Sequence, residues 1–306
     1  MSKILVTGGQ GFIGSNLVRE LRGRGHDVWV CDLFHSPDPR SVRCDVSKYR
    51  QLERIFEAHK FDCVYHLAAE YGRWNGEEYY ENLWLTNAVG TKNVIRLQEK
   101  EKFRMVFFSS AEIYGDYSGI MTEDLPEKIH IHLLNDYAMT KWVGEMMVKN
   151  SASQFGTETV VVRPFNVYGP GEHYHPYRGF VPKFIYKALR DEPYTVYLGH
   201  KRTLEYIDDV CRALANILEN FKPGEVYNLG GDDQYEVKYV SDLILKLLGK
   251  DDFNVTYRDS EPFTTVVKRP DSSKAKRDLN FRLTVPLEEG LRRTVEWFKR
   301  SYGLVG

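Results

Sequence analysis

The sequence predicts an α/β protein with a Rossmann-type, doubly wound parallel sheet and a smaller C-terminal α/β substrate domain. Short apolar, β-branched runs alternate with amphipathic helical patterns across residues 1–169. A cluster of glycines separates the first such run from the first helix. From about residue 170 the alternation becomes irregular. We therefore predict a dinucleotide-binding domain over 1–169, with 203–230 returning to it, and a mainly substrate-binding domain over 170–306.

The elements of the first half follow from hydrophobic periodicity. The run KILVT predicts a strand, and Ile13, Leu17, Val18 and Leu21 share one side of the helix that follows it. The run DVWVCDLF then completes a strand–helix–strand unit. Further strands are predicted over 61–69, 104–110 and 158–169, and further helices over 81–97 and from about Asp136. Strands that alternate with helices predict a parallel sheet covered on both faces.

Composition excludes several classes of partner. The 306 residues are 42% apolar and 28% charged, and 42 basic against 43 acidic residues leave a net charge of -1. This balance gives no electrostatic reason to expect nucleic acid or an anionic membrane surface. The N-terminus has no signal-peptide pattern, and no apolar run reaches membrane-spanning length. We expect a cytoplasmic protein.

The cysteines indicate neither a disulfide framework nor a zinc site. They are far apart in the sequence and none has Cys-x-x-Cys spacing. In a reducing cytoplasm they are expected to be small core residues. These residues are Cys31, Cys44, Cys63 and Cys211.

The glycine cluster predicts a phosphate-binding turn. Gly8, Gly11 and Gly14 have Gly-x-x-Gly-x-x-Gly spacing, and without side chains they let a pyrophosphate approach the helix N-terminus. Asp32, just past the next strand, can accept hydrogen bonds from an adenosine ribose, and its charge would repel a 2′-phosphate. NAD is therefore favoured over NADP. Arg40 and Arg43 follow in a loop and leave open a contact with a 2′-phosphate.

Polar side chains then follow a buried strand. Ser110 and Glu112 stand directly after the run RMVFF, where alternating strand–helix proteins bind their ligands. Tyr137 and Lys141 lie four residues apart, so on a helix they share one face. A lysine ammonium near a phenol favours the phenolate, which can take a proton from an alcohol while nicotinamide takes a hydride from the same carbon.

The chain resembles a known family at these positions. The motifs GGQGFIG, HLAA, SSAEIYG, YAMTK, RPFNVYGPG, YIDDV and YNLGG are similar to those of extended short-chain dehydrogenase/reductases, in particular nucleotide-sugar epimerases, dehydratases and decarboxylases. The resemblance covers residues 3 to about 300. It implies bound NAD that is recycled within one turnover and a nucleoside diphosphate sugar as the substrate. It also implies a homodimer, in which the helix 81–97 and the helix that begins near residue 136 pack against a second subunit.

The resemblance also implies the roles of individual residues. Ser110 and Tyr137 would contact the C4 hydroxyl of the sugar, Lys141 would hold the nicotinamide ribose, and Asn166 would hold the substrate. Arg202 resembles the family's phosphate-binding arginine, and Arg178 and Lys183 are further candidates for the diphosphate. The full set assigned to the cofactor is Gly8, Gly11, Phe12, Ile13, Gly14, Asp32, Asp45, Val46, Leu67, Ala68, Ala69, Tyr137 and Lys141.

Glu112 discriminates between the possible reactions. The resemblance implies a small, uncharged residue here in C4 epimerases, but in 4,6-dehydratases a glutamate that removes the C5 proton. Many dehydratases place Asp before this Glu as the acid for the leaving hydroxyl, whereas this chain has Ala111. The GDP-mannose dehydratases resemble this chain in having Glu without a preceding Asp, which implies that Glu112 alone can serve as base and then as acid. Glucuronate decarboxylases also carry the Glu, and place an arginine near the substrate carboxylate; KRPDSSKAKRDL resembles their segment and leaves either Lys268 or Arg269 at that position.

The leading hypothesis is an NAD-dependent 4,6-dehydratase-type enzyme. C4 epimerisation and UDP-glucuronate decarboxylation are the alternative reactions within the family. Alternatively, Glu112 has only a structural role and caps nearby backbone amides. An NAD-bound redox sensor is the non-enzymatic alternative, although the intact Ser110, Tyr137 and Lys141 set opposes it. His173 and His175 have no nearby acid or cysteine set that would complete a metal site.

Overall fold

The central sheet has seven parallel strands in the computed structural model, which describes residues 1–259 and 261–304. The first strand of the chain lies inside the sheet, and the chain winds outward from it to both edges, so the predicted doubly wound fold is confirmed. From edge to edge the strands are Val226–Leu229, Thr159–Pro164, Arg104–Phe108, Cys63–His66, Lys3–Thr7, Asp27–Asp32 and Ser41–Arg43.

Apolar clusters cover both faces of this sheet. Successive side chains of a strand point to opposite faces, so Ile4 and Val6 join one cluster and Leu5 joins the other. Strands buried on both faces are apolar throughout, which is why the sequence shows continuous runs here. None of the described helices is long and apolar enough to cross a membrane. The helices around the sheet are Phe12–Gly23, Tyr49–Ala58, Gly90–Glu101, Asp136–Phe155 and Ile207–Glu219.

Two predicted elements are interrupted. The helix predicted over 81–97 consists of Tyr80–Trp84 and Gly90–Glu101 joined by a π-helical turn, Leu85–Val89. The strand predicted over 158–169 ends at Pro164, and the next two residues separate it from Val167–Tyr168, which pairs with Glu205–Tyr206 instead. The apolar pattern continues across both interruptions, so periodicity alone cannot show them.

The C-terminal part is built from short pairings and helices. Tyr194–Tyr197 pairs with Val255–Arg258 in parallel, and Lys201–Arg202 pairs with Tyr235–Glu236 in antiparallel orientation. The apolar cluster on one face of the sheet continues into this part, so a domain boundary at residue 169 stays a prediction. The remaining elements are Arg73–Glu78, Ala111–Tyr114, Ile120–Met121, Leu125–Lys128, Phe180–Leu189, Val237–Leu248, Arg269–Pro270, Ser273–Leu279 and Leu287–Ser301.

A buried ion pair fixes the elements that carry the predicted site. Arg163 donates from Nε and Nη2 to the two carboxylate oxygens of Glu145 at 2.9 and 2.7 Å, a bidentate geometry with strong directional preference. Its Nη1 also donates to the Tyr114 hydroxyl at 2.9 Å, and that hydroxyl donates to Asn228 at 2.7 Å. The helix Asp136–Phe155, the strand Thr159–Pro164 and the turn Ala111–Tyr114 are thereby held together.

Candidate active site

The glycine turn leaves a helix N-terminus open to a ligand. Gly8 has a φ of +68°, and a Cβ there would lie 2.8 Å from the backbone of Ala68, so both the conformation and the close approach require glycine. Gly11 is the N-cap of the helix Phe12–Gly23 and offers no side-chain hydrogen bond to it. The first amide groups of this helix are therefore available to an anion.

Asp32, the last residue of the strand Asp27–Asp32, lies beside the glycine turn. Its carboxylate accepts hydrogen bonds from the amides of Gln10 at 2.9 Å and Leu33 at 2.7 Å, which fixes it beside the glycine turn. The two arginines considered for a 2′-phosphate have other partners. Arg40 pairs with Asp27 at 2.7 Å, and Arg43 donates to the Leu33 carbonyl at 3.0 Å. Neither arginine lines the cavity that Asp32 lines.

All of the residues assigned to the cofactor line one cavity of about 570 Å³. The helix N-terminus provides amides for a pyrophosphate and Asp32 provides a carboxylate for a ribose, so the donors and acceptors fit NAD. These residues are Gly8, Gly11, Phe12, Ile13, Gly14, Asp32, Asp45, Val46, Leu67, Ala68, Ala69, Tyr137 and Lys141.

Tyr137 and Lys141 lie one turn apart on the helix Asp136–Phe155. Asn135 caps this helix, because its side chain accepts a hydrogen bond from the Ala138 amide at 2.8 Å. Lys141 is buried and donates to the Phe108 carbonyl at 2.9 Å, and its Nζ is 5.7 Å from the centroid of the Tyr137 ring. Burial lowers the pKa of Lys141 to about 8.

Burial opposes ionisation of Tyr137 in the free chain, and the phenolate stays a prediction for the enzyme at work. Burial raises the pKa of the phenol to about 12; hydrogen bonding to Ser110 lowers it in part, and the nearby charge of Glu112 adds to the increase. The Lys141 ammonium is turned to the Phe108 carbonyl rather than to the phenol oxygen, so it does not offset burial. The phenolate therefore requires a further positive charge or a bound substrate to form.

Glu112 lies on the short turn Ala111–Tyr114 at the end of the strand Arg104–Phe108. The Ser110 hydroxyl caps this turn by accepting a hydrogen bond from the Glu112 amide at 3.1 Å. The turn lies at the carboxyl end of the central strands, as the sequence predicts. Ser110 lines this larger cavity and also a second one, whereas Glu112 lines only the second.

The second cavity, of about 300 Å³, meets the first at Ser110 and Tyr137. Glu112, Asn166, Lys183 and Arg202 line only this smaller cavity. Seven residues line both cavities: Tyr71, Ser110, Tyr137, Phe165, Val167, Glu172 and Arg178. A molecule that fills the smaller cavity therefore reaches a molecule that fills the larger one at Ser110 and Tyr137.

A buried ion pair holds Glu112. Lys268 is 3% exposed, and its Nζ lies 2.5 Å from a Glu112 carboxylate oxygen. Burial by itself would raise the pKa of Glu112, but the positive charges of Lys268 and Arg73 outweigh it and lower the pKa to about 2. Glu112 is therefore a carboxylate at neutral pH.

The two basic residues of the C-terminal segment lie in different surroundings. Arg269 is exposed and lines neither cavity, so these observations do not support its assignment to the substrate, which stays a prediction. The strand Arg269–Pro270 pairs with Ile120–Met121 and leaves Lys268 directed inward to Glu112. The register of this pairing is a tertiary property that an alignment of motifs does not contain.

The other residues assigned to the substrate lie in the smaller cavity. The side-chain nitrogen of Asn166 is buried there without a hydrogen-bond partner. Arg178 stacks its guanidinium 3.5 Å from the centroid of the Tyr71 ring. Arg202 is buried and donates to the carbonyls of Thr265 and Val266, both at 2.8 Å. These contacts orient the arginines before a substrate binds.

The loop after Gly169 contains a residue that sequence reasoning missed. Glu172 is 6% exposed and lines both cavities, although its burial could not be read from a glycine- and histidine-rich loop. The neighbouring His173 packs its ring 4.8 Å from that of Trp297, and His175 lines the larger cavity. Within residues 1–259 and 261–304, no three His, Cys, Asp or Glu side chains are grouped to hold a metal ion.

Comparison with known proteins gives relatives along nearly the whole chain. The model of the NAD dependent epimerase/dehydratase family matches residues 4–230. The UDP-N-acetyl-alpha-D-glucosaminuronate decarboxylase of Bacillus cytotoxicus is 30% identical, over 97% of this chain and 98% of that protein.

Two solved structures are similar over equally long stretches. The UDP-glucuronic acid 4-epimerase of Bacillus cereus, in complex with UDP-glucuronic acid and NAD, is 28% identical with a TM-score of 0.87, covering 98% of this chain and 100% of that one. DesIV, a dTDP-glucose 4,6-dehydratase from Streptomyces venezuelae with NAD and TYD bound, is 27% identical with a TM-score of 0.88, covering 98% of each chain.

The position of Asp32 predicts the cofactor preference. The Asp32→Asn variant should bind NAD roughly 10- to 100-fold more weakly, because it loses charge-assisted hydrogen bonds to the ribose. Its binding of NADP should weaken less or improve, because the repulsion of the 2′-phosphate is removed. Calorimetric titration of the cofactor-free protein measures both affinities.

The matched control for this titration is Asp38→Asn. Asp38 pairs with Arg22 at 2.7 Å outside the cavity, so its variant should keep the parental ratio of the two affinities. The assignment of Asp32 fails if the parental protein binds NADP more tightly, or if Asp32→Asn leaves the ratio unchanged.

Proposed function

The chain belongs to the NAD-dependent epimerase/dehydratase family, which confirms the predicted family and cofactor, and we propose that it is a nucleotide-sugar 4,6-dehydratase-type enzyme. The sugar of a nucleoside diphosphate sugar occupies the smaller cavity, with its C4 hydroxyl at Ser110 and Tyr137. After oxidation at C4, Glu112 removes the C5 proton and water leaves from C6. The observation that carries this proposal is the ionised Glu112, held by Lys268 beside Tyr137.

The first step is oxidation of the alcohol at C4. Bound NAD supplies the oxidant, because its nicotinamide ring accepts a hydride. Tyr137 takes the hydroxyl proton and Ser110 donates a hydrogen bond to the same oxygen, since both line the junction of the two cavities. Lys141 is the buried cation next to the phenol ring and stabilises the phenolate when it forms.

The second step depends on the charge of Glu112. A ketone at C4 makes the C5 hydrogen acidic, and a carboxylate within reach can remove it. The ionised Glu112 would also repel a carboxylate at C6 of the sugar, because like charges at close range repel each other. The site of the free chain therefore favours a neutral hydroxymethyl group at C6 over a carboxylate.

A second candidate is decarboxylation of a uronate sugar. Lys268, Arg73 and Arg202 all place positive charge near Glu112, and together they can neutralise a C6 carboxylate. The similar protein from Bacillus cytotoxicus is named as a decarboxylase, which supports this second candidate. Simple C4 epimerisation, the reaction named for the Bacillus cereus structure, requires no base at C5 and leaves the charge of Glu112 without a role.

The reaction is tested with a panel of UDP, GDP, dTDP and CDP sugars, analysed by mass spectrometry and NMR. A dehydratase releases one water from a neutral hexose, a decarboxylase releases carbon dioxide from a uronate, and an epimerase changes no mass. We expect loss of water. A protein that keeps NAD bound and converts none of the sugars would be the redox sensor instead.

The role of Glu112 predicts a partial reaction in the Glu112→Gln variant. Oxidation at C4 should continue, because it requires Ser110, Tyr137, Lys141 and NAD. Exchange of the C5 hydrogen with deuterated water should stop, and water loss should fall on the order of a hundredfold or more, the scale of a lost general base. The 4-keto sugar should then accumulate and be detectable by NMR.

The control for this variant is Glu127→Gln, which removes an exposed carboxylate that pairs with Lys149. It should keep the parental rates of C5 exchange and of water loss. Parental rates in Glu112→Gln itself would contradict the dehydratase proposal and return Glu112 to a structural role.

We also propose a homodimer. The helices that the family resemblance assigns to the interface carry exposed apolar side chains: Leu85, Val89, Met139 and Met146 are 45%, 43%, 38% and 47% exposed. Burial of such a face against a second copy is favourable at roughly 25 cal/mol per Å². Light scattering should give twice the chain mass, and the pair Val89→Asp and Met146→Asp should give monomers, whereas a monomeric parent contradicts the proposal.

A cytoplasmic location stays a proposal as well. Cys31, Cys44, Cys63 and Cys211 are all buried as free thiols, the state that a reducing compartment maintains.

A further inference from the structure

Elimination of water requires an acid as well as a base. A hydroxyl at C6 leaves with difficulty unless its oxygen receives a proton as the C–O bond breaks. The residue before Glu112 cannot supply this proton, because Ala111 is apolar and is 3% exposed in a small apolar cluster. The need for this acid rests on the proposed function, since an epimerase does not eliminate water.

Glu172 is a carboxyl group directed into the site without a partner. Its side chain is 6% exposed, lines both cavities, and makes no hydrogen bond within the described residues. Its oxygens are not among the described side-chain atoms that are fully buried without a partner, so they are open to the cavities and available to a ligand or for proton transfer. Its position beside Ser110 and Tyr137 places it at the end of the smaller cavity where oxidation takes place.

The loop that carries Glu172 is held in one conformation. Gly169 and Gly171 have φ angles of +148° and +98°, which only glycine adopts readily. Asn16 donates to the Pro170 carbonyl at 3.1 Å and so ties the loop to the helix Phe12–Gly23. The Glu172 amide donates to the Gly169 carbonyl at 3.3 Å. The carboxyl group is therefore positioned by backbone contacts and not by contacts of its own.

The surroundings of Glu112 and Glu172 shift the pKa values of the two carboxyl groups in opposite directions. Burial raises the pKa of Glu172 to about 7, and the charge of Arg178 offsets this only in part. Lys268 and Arg73 lower the pKa of Glu112 to about 2 despite its burial. Two carboxyl groups on one cavity, one about half protonated at neutral pH and the other ionised, can provide an acid and a base together.

We propose that Glu172 is a further catalytic residue, the acid that protonates the C6 hydroxyl as it leaves. The C5–H bond breaks and its proton passes to a Glu112 oxygen, while the C5 electron pair forms the C5–C6 double bond. The C6–O bond breaks, its electrons stay on oxygen, and the proton of Glu172 completes a water molecule. Glu172 is left as a carboxylate and regains its proton from water in the cavity.

Lys268 does not take this role. Its ammonium contacts Glu112, and Lys268 lines neither cavity. It acts through Glu112 and is a positioning residue. Glu112 is ionised before the reaction begins, so the only proton that it could donate is the one it takes from C5.

The test compares two leaving groups in the Glu172→Gln variant. The amide keeps the shape of the side chain and removes the proton. With a 6-hydroxy sugar nucleotide, water loss should fall on the order of 10²- to 10⁴-fold, the scale of a lost general acid. With the corresponding 6-deoxy-6-fluoro sugar, fluoride leaves without prior protonation, so its release should stay within a few-fold of the parental rate. Exchange at C5 should continue with both sugars.

The control is His173→Gln, in the same loop but packed against Trp297 outside the cavities. It should keep the parental ratio of fluoride release to water loss. Equal losses with both leaving groups in Glu172→Gln would overturn the proposal, because a purely structural or binding role lowers both rates. Parental water loss in that variant would overturn it as well. If the parental protein itself neither exchanges C5 hydrogen nor loses water, the proposed function fails, and that result is distinct from a failure of Glu172 alone.

Discussion

The contact between Glu112 and Lys268 is the interaction on which the site depends. It joins residues that are 156 positions apart in the sequence and brings the C-terminal segment under the turn Ala111–Tyr114. The Lys268 side chain is buried and that of Glu112 is 23% exposed, so loss of the carboxylate would leave the Lys268 ammonium buried without its main counter-charge. The same contact that holds the segment in place also keeps Glu112 ionised, so the packing of this region and its chemistry have one origin.

The rest of the site is arranged around this pair by a second buried network. Arg163 and Glu145 tie the helix that carries Tyr137 and Lys141 to the strand and turn beside Glu112. The proposed proton acceptor for C4 and the proposed base for C5 are therefore fixed relative to each other before a substrate binds. Such preorganisation lowers the cost of reaching the reactive geometry.

What the sequence could predict was local. The glycine turn, Asp32 and the pair Tyr137 and Lys141 depend on spacings within one strand–helix unit or one helix, and the structure brings them to one cavity as expected. Residues whose roles depend on distant contacts were missed or misjudged. Lys268 rather than Arg269 faces Glu112 because of a strand pairing, and Glu172 is buried because a loop is tied to a helix far away in the sequence. The pKa of Tyr137 could not be anticipated for the same reason, since burial is a tertiary property.

The fate of the hydrogen at C4 of the sugar tests the proposed dehydration most directly. A nucleotide sugar that carries deuterium at C4 is converted in ordinary water, and NMR locates the deuterium in the product. If C4 is oxidised, water leaves from C5 and C6, and the hydrogen taken from C4 is returned to the double bond, the deuterium should be found at C6 with a solvent hydrogen at C5. Deuterium that returns to C4 would contradict the account, because both epimerisation and decarboxylation restore the hydrogen at the carbon from which it came.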